Sequence, residues 1–207
     1  IQPDIGQTLL IFLAWATLVF ISGISLPIIL TFFSFSLLSL IYMVFFIPKF
    51  TYIKNRILSF FNPNDGTHNF QSDKAIDAIS SGGYFGKGIG EGTLKNRVPE
   101  AHTDYIISII SEEFGVVAIM LLLILFLFFI YMVFKKIYLE KNEKVKLILT
   151  GTVCLIIFQA LIHIGVNIRL FPTTGMTLPF LSYGGSSIVG VSILSGVILN
   201  LTKRKIN

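Results

Sequence analysis

Five long apolar runs constrain this chain more than any other feature of its sequence. Each is long enough to cross a hydrocarbon core of about 30 Å as a helix. They cover residues 5–23, 26–47, 106–134, 146–166 and 186–202. Charged residues make up only 13% of the chain, about half the ~25% typical of soluble domains, so a water-soluble globular enzyme is excluded. We therefore predict an all-α integral membrane protein, a polytopic bundle of about five transmembrane helices with a large external loop.

The positions of lysine and arginine predict how these helices are oriented. Residues 135–146 contain five lysines, and the C-terminal tail carries three more basic residues. Basic residues accumulate on the cytoplasmic side of membrane proteins, so this loop and the C-terminus are predicted to be cytoplasmic. Because the basic residues flank apolar runs, they are interpreted as topology signals, and no nucleic-acid partner is expected.

The same pattern divides the chain into three segments. Residues 1–47 are predicted to form a hairpin of two spans, and residues 48–105 the large external loop. Residues 106–207 hold the other three spans, with a cytoplasmic loop at 135–146 and an external loop at 167–185.

The large external loop has two features of its own. Apolar residues recur at helical spacing between Phe50 and Phe61, which predicts an amphipathic helix lying along the headgroups. Alternate residues from Gly86 to Gly92 are glycine, but no strand precedes them, so a nucleotide-binding loop is rejected. We expect this glycine ladder to let the backbone approach a membrane surface or a bulky headgroup, with Lys87 and Lys95 either binding phosphate or simply solvated.

Acidic side chains at the start of the third span are the strongest chemical signal. A carboxylate that faces lipid near the bilayer centre costs roughly 2.5–3.5 kcal/mol, so Asp104 and Glu112 are expected to face protein or water. One narrow helix face carries Asp104, Ser108, Ser111 and Gly115. That face predicts a polar groove running inward from the external surface. Neighbouring acids and partial burial should raise a carboxyl pKa towards the range useful for proton transfer. Alternatively, these acids pair with basic groups in a part of the protein outside this chain.

A second polar stripe lies on the fourth span. Gln159, His163 and Asn167 recur every four residues in an apolar helix and must share a face directed into the bundle. Interhelical hydrogen bonding is the preferred role for Gln159, and His163 is interpreted as a satisfied interior histidine. The histidines lack zinc-like spacing and the single Cys154 is interpreted as a small buried hydrophobe, so no metal site is predicted.

Several ordered motifs together resemble one known family. They are Ser81-Gly82-Gly83 with the glycine ladder, Pro99 to Asp104 with Glu112 to Gly115, and Pro172 to Ser187. Across nearly the whole chain the sequence resembles the SEDS family (shape, elongation, division and sporulation), and within it the division branch as found in alphaproteobacteria. The resemblance implies a ten-span membrane protein, of which this chain matches the later five spans.

The resemblance also implies an activity. Such proteins polymerise lipid II into glycan strands at the outer face of the bacterial inner (cytoplasmic) membrane, here at the division septum. Asp104 would be the general base that deprotonates the 4-hydroxyl of the acceptor sugar, and attack on the donor would expel a lipid pyrophosphate. Positive charge beside the departing phosphates would come from Arg169, Lys87 and Lys95. We expect the remaining substrate contacts from Glu100, His102, Thr103, Ser108, Glu112 and Ser182.

Partners and cofactors follow from the same resemblance. The implied ligands are lipid II, the undecaprenyl pyrophosphate released from it, and membrane lipid. The implied protein partners are a class B penicillin-binding protein transpeptidase and other divisome proteins. No covalently bound cofactor is implied, and a divalent cation, magnesium or manganese, is compatible with the departing phosphates.

Two other functions stay open on the sequence alone: a flippase that moves lipid II across the bilayer, and a non-catalytic divisome scaffold. A transporter usually places its key polar groups near the midplane on broken helices, whereas Asp104 is predicted at the external end of its span. That position favours chemistry at the surface. The scaffold leaves Asp104 without a role.

Overall fold

The structure is a computed structural model that describes residues 4–61, 70–93, 98 and 100–203. Seven α-helices and one short 3₁₀ turn are the regular elements of these residues. The helices are α1 (Ile5–Ile21), α2 (Leu26–Phe46), α3 (Thr51–Phe61), α4 (Phe70–Gly82), α5 (Ile106–Leu139), α6 (Glu143–Asn167) and α7 (Gly185–Thr202), and the 3₁₀ turn is Pro48–Phe50. The predicted all-α fold class is confirmed.

Four helices are long and apolar enough to cross a membrane, namely α2, α5, α6 and α7. α1 is also apolar but shorter, at 17 residues. At 1.5 Å per residue it covers about 26 Å, close to the thickness of a hydrocarbon core. Large apolar side chains stay exposed along these helices, as a lipid-facing surface requires. The chain is therefore a membrane protein.

α6 lies at the centre of the bundle. It contacts α1, α4, α5 and α7. The polar stripe predicted on this helix points inward, because Gln159, His163 and Asn167 are all buried. α2 packs against α1, α3 and the 3₁₀ turn, and Val44 is its buried residue. α2 therefore lies at the edge of the described bundle.

α5 is not one continuous helix. Gly115 interrupts it with φ 77° and ψ −178°, a conformation that glycine adopts without the strain a side chain would cause. The connection after α4 fills the gap. The N–H groups of Lys87 and Gly88 donate to α5 carbonyls before the break, and α5 N–H groups beyond it donate to the carbonyls of Gly83 and Tyr84, over 2.9–3.2 Å.

We call this connection, residues 83–88, the insertion loop. A Cβ on Gly86 would overlap the carbonyl oxygen of Glu113, and one on Gly92 would lie 2.8 Å from the carboxyl carbon of Glu112. The glycine ladder thus packs against α5 at these two positions, while its approach to a membrane surface or headgroup stays a prediction. The physical reason is that a helix break in apolar surroundings leaves peptide groups that need partners within the protein.

The connection between α5 and α6 is shorter than predicted. Only residues 140–142 separate the two helices. The Asn142 side chain accepts a hydrogen bond from the backbone of the first turn of α6 and so starts that helix at Glu143. The two ends of the predicted cytoplasmic loop, residues 135–146, thus continue the helices, and its cytoplasmic location stays a prediction. The α6–α7 connection covers residues 168–184.

Candidate functional site

Asp104 lies on a tight turn that precedes α5, not on the helix itself. The carbonyl oxygen of Glu100 accepts hydrogen bonds from the N–H groups of Thr103 and Asp104, at 3.1 and 3.0 Å. Glu100 has a φ of 54°, and its carboxylate accepts a hydrogen bond from the Thr103 hydroxyl at 3.1 Å. The predicted helix face that joins Asp104 to Ser108 and Ser111 is therefore wrong, because α5 starts two residues after Asp104.

Neighbouring elements hold residues 100–105, which we call the Asp104 turn. From α6, the Asn167 side-chain amide donates to the carbonyl oxygen of Asp104 at 3.0 Å and to a carbonyl of its own helix at 2.9 Å. From the α6–α7 connection, the N–H of Tyr183 donates to the carbonyl oxygen of His102 at 3.0 Å. The position of the Asp104 carboxyl thus depends on two elements distant from it in sequence.

The α6–α7 connection folds over the Asp104 turn. His163 Nδ1 lies 2.7 Å from the carbonyl oxygen of Met176, and because a carbonyl only accepts, Nδ1 carries a hydrogen and donates it. On the opposite side Gly6 of α1 makes room, since a Cβ there would lie 2.8 Å from Met176 Cγ. Gly175, with φ 72°, would place a Cβ 3.5 Å from Oδ2 of Asp104. The carboxyl group therefore lies against the backbone of this connection.

The surroundings of Asp104 set its protonation. Burial raises the pKa of the Asp104 carboxyl above its ordinary value, a hydrogen bond from Thr103 lowers it, the charge of Glu100 raises it and the charge of Arg56 lowers it, with a net upward shift. A general base is most effective when its pKa approaches the working pH from below. Asp104 is therefore suited to accept a proton from a bound hydroxyl.

Predicted substrate contacts fall into two groups. Glu100, His102 and Thr103 share the Asp104 turn, where Glu100 and His102 are exposed and Thr103 is half-buried. The structure therefore brings these three together with Asp104, at one end of the bundle.

The second group is buried inside the fold. The Ser108 hydroxyl donates to the carbonyl of Tyr105 at 2.7 Å, and the Ser182 hydroxyl accepts from a backbone N–H of its own turn at 2.8 Å. Glu112 is also buried, and one of its carboxylate oxygens lies 3.6 Å from Lys87 Nζ. The polar groove predicted along α5 is not formed here, because α4 and the insertion loop cover this face of the helix.

The predicted phosphate-binding cations have other partners. Lys87 pairs with Glu112, as described, and Arg169 Nη1 lies 2.5 Å from Oδ1 of Asp73 on α4. Lys95 lies outside the described residues. The two described cations are thus engaged by carboxylates of this chain.

Arg56 of α3 is the residue near Asp104 that sequence reasoning missed. Its Nη1 donates to the carbonyl of Thr173 at 3.0 Å, and its guanidinium lies over the ring of Tyr52, 4.3 Å from the centroid. Its charge lowers the pKa of Asp104. From sequence, Arg56 was one of several basic residues on the polar side of an interfacial helix. The available signal was the Tyr52–Arg56 spacing of four residues, which places both on one helix face.

Within residues 4–61, 70–93, 98 and 100–203, no three His, Cys, Asp or Glu side chains lie together as a candidate metal site. At the Asp104 turn two carboxylates lie close enough to interact, those of Glu100 and Asp104.

Comparisons with known proteins point to one family. A family model for FtsW, RodA and SpoVE, described as cell cycle proteins, matches residues 1–207. A probable peptidoglycan glycosyltransferase FtsW from Caulobacter vibrioides (strain NA1000 / CB15N) is 36% identical over 208 residues, covering 99% of this chain and 52% of that protein. A protein of the same name from Buchnera aphidicola subsp. Baizongia pistaciae is 37% identical over 211 residues, covering 97% of this chain and 54% of that protein.

A solved structure shares the fold. Its description reads "Structural coordination of polymerization and crosslinking by a peptidoglycan synthase complex". One of its chains matches this chain with a TM-score of 0.73 and 27% sequence identity. The match covers 100% of this chain and 58% of that one. The chain thus spans about half the length of the curated relatives it matches.

Proposed function

Because the chain belongs to the FtsW/RodA/SpoVE family, we propose that it forms the Asp104-bearing part of a membrane-embedded peptidoglycan glycosyltransferase that polymerises lipid II into glycan strands. One observation carries this proposal. A partly buried carboxyl with a raised pKa is held on a rigid turn at one end of a membrane bundle. This is the arrangement that a base acting on a hydroxyl at the membrane surface requires.

The chemistry assigned to Asp104 is a single proton transfer coupled to glycosyl transfer. The ionised carboxylate takes the proton of the acceptor sugar's 4-hydroxyl as that oxygen forms a bond to the anomeric carbon of the donor. The bond from this carbon to the pyrophosphate oxygen breaks, and the lipid pyrophosphate leaves with the electron pair. Asp104 then releases its proton to water. A divalent cation beside the departing phosphates stays a prediction.

The residues around Asp104 have positioning roles in this scheme. Asn167 fixes the backbone of Asp104 from α6. Gly175 itself places no side chain against Oδ2, where a Cβ would lie 3.5 Å away. Such fixed geometry lowers the entropy that must be lost when the two sugars are brought together. Glu100, His102 and Thr103, on the same turn, are the proposed contacts to the acceptor sugar.

The break in α5 bears on the flippase alternative. Broken helices with polar groups near the midplane are typical of transporters. Here the peptide groups next to Gly115 bond to the insertion loop, and Glu112 is buried beside Lys87. In the described part of the chain the break is therefore filled by protein and does not line a path for a headgroup. Asp104, at the end of the bundle, favours the glycosyltransferase.

The cellular setting is part of the proposal. We place the protein in the bacterial inner membrane at the division septum, with the C-terminus and residues 140–142 in the cytoplasm. We propose a class B penicillin-binding protein transpeptidase as its partner, together with other divisome proteins. Support comes from the structural relative, which is described as a peptidoglycan synthase complex.

The proposal is tested by Asp104→Asn in the full-length protein with its transpeptidase partner. The amide cannot accept the proton, so we expect polymerisation of purified lipid II to fall by at least 10²-fold, the lower end for loss of a general base. Asp77→Asn is the matched control, because Asp77 is exposed and pairs with Lys74 on α4. Asp77→Asn should polymerise normally. Polymerisation by Asp104→Asn at the wild-type rate would overturn the assignment.

A further inference from the structure

Arg56 differs from the other cations near this end of the bundle in the partners it has. Its two described contacts are to neutral groups, the carbonyl oxygen of Thr173 and the ring of Tyr52. Among the described residues no carboxylate forms an ion pair with Arg56, whereas Lys87 and Arg169 each have one. Within the described residues no carboxylate thus neutralises Arg56, and its neutral contacts fix the orientation of the guanidinium.

Arg56 and Asp104 lie against the same short stretch of the α6–α7 connection. Thr173 accepts the hydrogen bond of Arg56, and Gly175 lies against Oδ2 of Asp104. The Cα atoms of these two loop residues are at most about 7 Å apart. The charge of Arg56 is felt at Asp104, yet no ion pair within 4.0 Å joins the two side chains. A fixed cation thus stands beside the base without neutralising it.

From this arrangement we infer that Arg56 binds a phosphate of the lipid-linked pyrophosphate that departs during glycosyl transfer. The inference rests on the proposed function and names the residue that receives the leaving group. The chemistry fits a guanidinium, which stays charged, presents donors in a planar fork matched to phosphate oxygens and stacks on aromatic rings. Nη1 is used by Thr173, and the other terminal nitrogen makes no hydrogen bond within the described chain.

The separation of Arg56 from Asp104 preserves the basicity of the Asp104 carboxylate. A direct ion pair would favour the charged carboxylate and make it a weaker base. A guanidinium held farther away can neutralise charge that develops on the departing pyrophosphate, where electrostatic stabilisation acts on the transition state. Arg56 and Asp104 would then serve the two ends of one reaction, the leaving group and the nucleophile.

The test measures polymerisation of lipid II and its inhibition by undecaprenyl pyrophosphate, using the full-length protein with its partner in nanodiscs. Arg56→Ala should lower kcat/KM by about 10- to 100-fold, the size of a lost charge-assisted hydrogen bond, and should weaken inhibition by a similar factor. Arg56→Gln keeps a donor for the Thr173 carbonyl and separates loss of charge from loss of folding. It should be as defective as Arg56→Ala, while Arg56→Lys should recover part of the loss.

Lys54→Ala is the matched control. Lys54 is on the same helix and carries the same charge, but it lies over the ring of Phe45, 5.6 Å from the centroid. This variant should keep both parameters within about twofold, because Lys54 has no contact with the α6–α7 connection in the described structure. Wild-type kcat/KM and inhibition in a folded Arg56→Gln protein would overturn the inference.

Two further experiments are needed. One distinguishes the lipid-linked pyrophosphate from a membrane headgroup as the ligand of Arg56, and the other distinguishes failure of this inference from failure of the proposed function. Nanodiscs of zwitterionic lipid are compared with nanodiscs containing phosphatidylglycerol, and the Arg56 defect should be equal in both. A defect confined to the anionic nanodiscs would assign Arg56 to a membrane headgroup and overturn the inference. Asp104→Asn should bind undecaprenyl pyrophosphate normally without polymerising lipid II. If Arg56→Gln has wild-type polymerisation and inhibition while Asp104→Asn does not polymerise, the inference about Arg56 fails and the proposed function stands.

Discussion

Burial and neighbouring residues shift the pKa of the Asp104 carboxyl in opposite directions. Burial and the charge of Glu100 raise the pKa of its carboxyl, while the Thr103 hydrogen bond and the charge of Arg56 lower it. The net shift is upward because burial is the largest of these influences. A carboxyl in this state binds a proton more strongly than an exposed aspartate.

This balance predicts a pH dependence. Only ionised Asp104 can accept a proton, so kcat/KM for polymerisation should fall as the pH is lowered through its raised pKa. Glu100→Gln removes a nearby negative charge, which lowers that pKa and moves the acid limb to lower pH. Arg56→Gln removes a positive charge and moves the limb to higher pH. Rate profiles of the full-length variants measure both midpoints, and shifts of the same sign would contradict the assignment to Asp104.

Among the elements, α5 and the insertion loop form a unit that neither could form alone. The break at Gly115 frees peptide groups on both sides, and the insertion loop supplies their partners. Close approach of the two backbones is possible because glycine occupies the contact positions. A Cβ on Gly115 would overlap the carbonyl oxygen of Tyr84, and one on Gly82 would overlap that of Ser111.

Gly115→Ala should therefore destabilise the protein. A backbone with positive φ and extended ψ, as at Gly115, costs an L-residue about 1–3 kcal/mol, and the overlap with Tyr84 adds to this cost. Gly196→Ala in α7 is the matched control, because nothing lies within 4 Å of a Cβ there, and it should be neutral or stabilising by up to about 1 kcal/mol. Thermal denaturation of the purified proteins in detergent compares the two. An unchanged midpoint for Gly115→Ala would show that α5 tolerates a regular helix here.

In the whole molecule, the candidate site is assembled from four separate parts of the chain. They are α3 with Arg56, the Asp104 turn, the end of α6 with Asn167, and the α6–α7 connection. The two connections that flank α6 are separated by its 25 residues, about 37 Å of helix. If α6 crosses the membrane, Lys141 and the Asp104 site therefore lie on opposite sides.

The proposed orientation predicts which connection is labelled from outside the cell. Cys154 is buried and is the single cysteine of the chain, so the labelling starts from a background in which Cys154 and any cysteine outside this chain are replaced by alanine. Tyr183→Cys should react with a membrane-impermeant maleimide on intact spheroplasts. Lys141→Cys should react only after the membrane is permeabilised, because its connection is proposed to be cytoplasmic. The reverse pattern would invert the orientation and place Asp104 on the cytoplasmic side, away from the proposed reaction.

Much of the helical framework could be predicted from the sequence. The five predicted spans coincide with α1, α2, α5, α6 and α7 within a few residues, and Gln159, His163 and Asn167 point inward as expected. Asp104 was singled out by its charge next to an apolar run. These features depend on local composition and on helical spacing, because the free energy of placing a residue in lipid depends mainly on that residue and its immediate neighbours.

The partners of the charged residues were decided by tertiary structure alone. Lys87 and Arg169 were candidates for phosphate, but they meet Glu112 and Asp73, while Arg56 comes to the Asp104 site from 48 positions away in the chain. The sequence shows which residues are charged but not how far apart they lie in the fold. An electrostatic interaction depends on that distance and on burial. The sequence by itself determined which segments enter the membrane and which carboxyl stands at their edge. Only the packing of α3, α6 and the α6–α7 connection decided which cation stands beside that carboxyl.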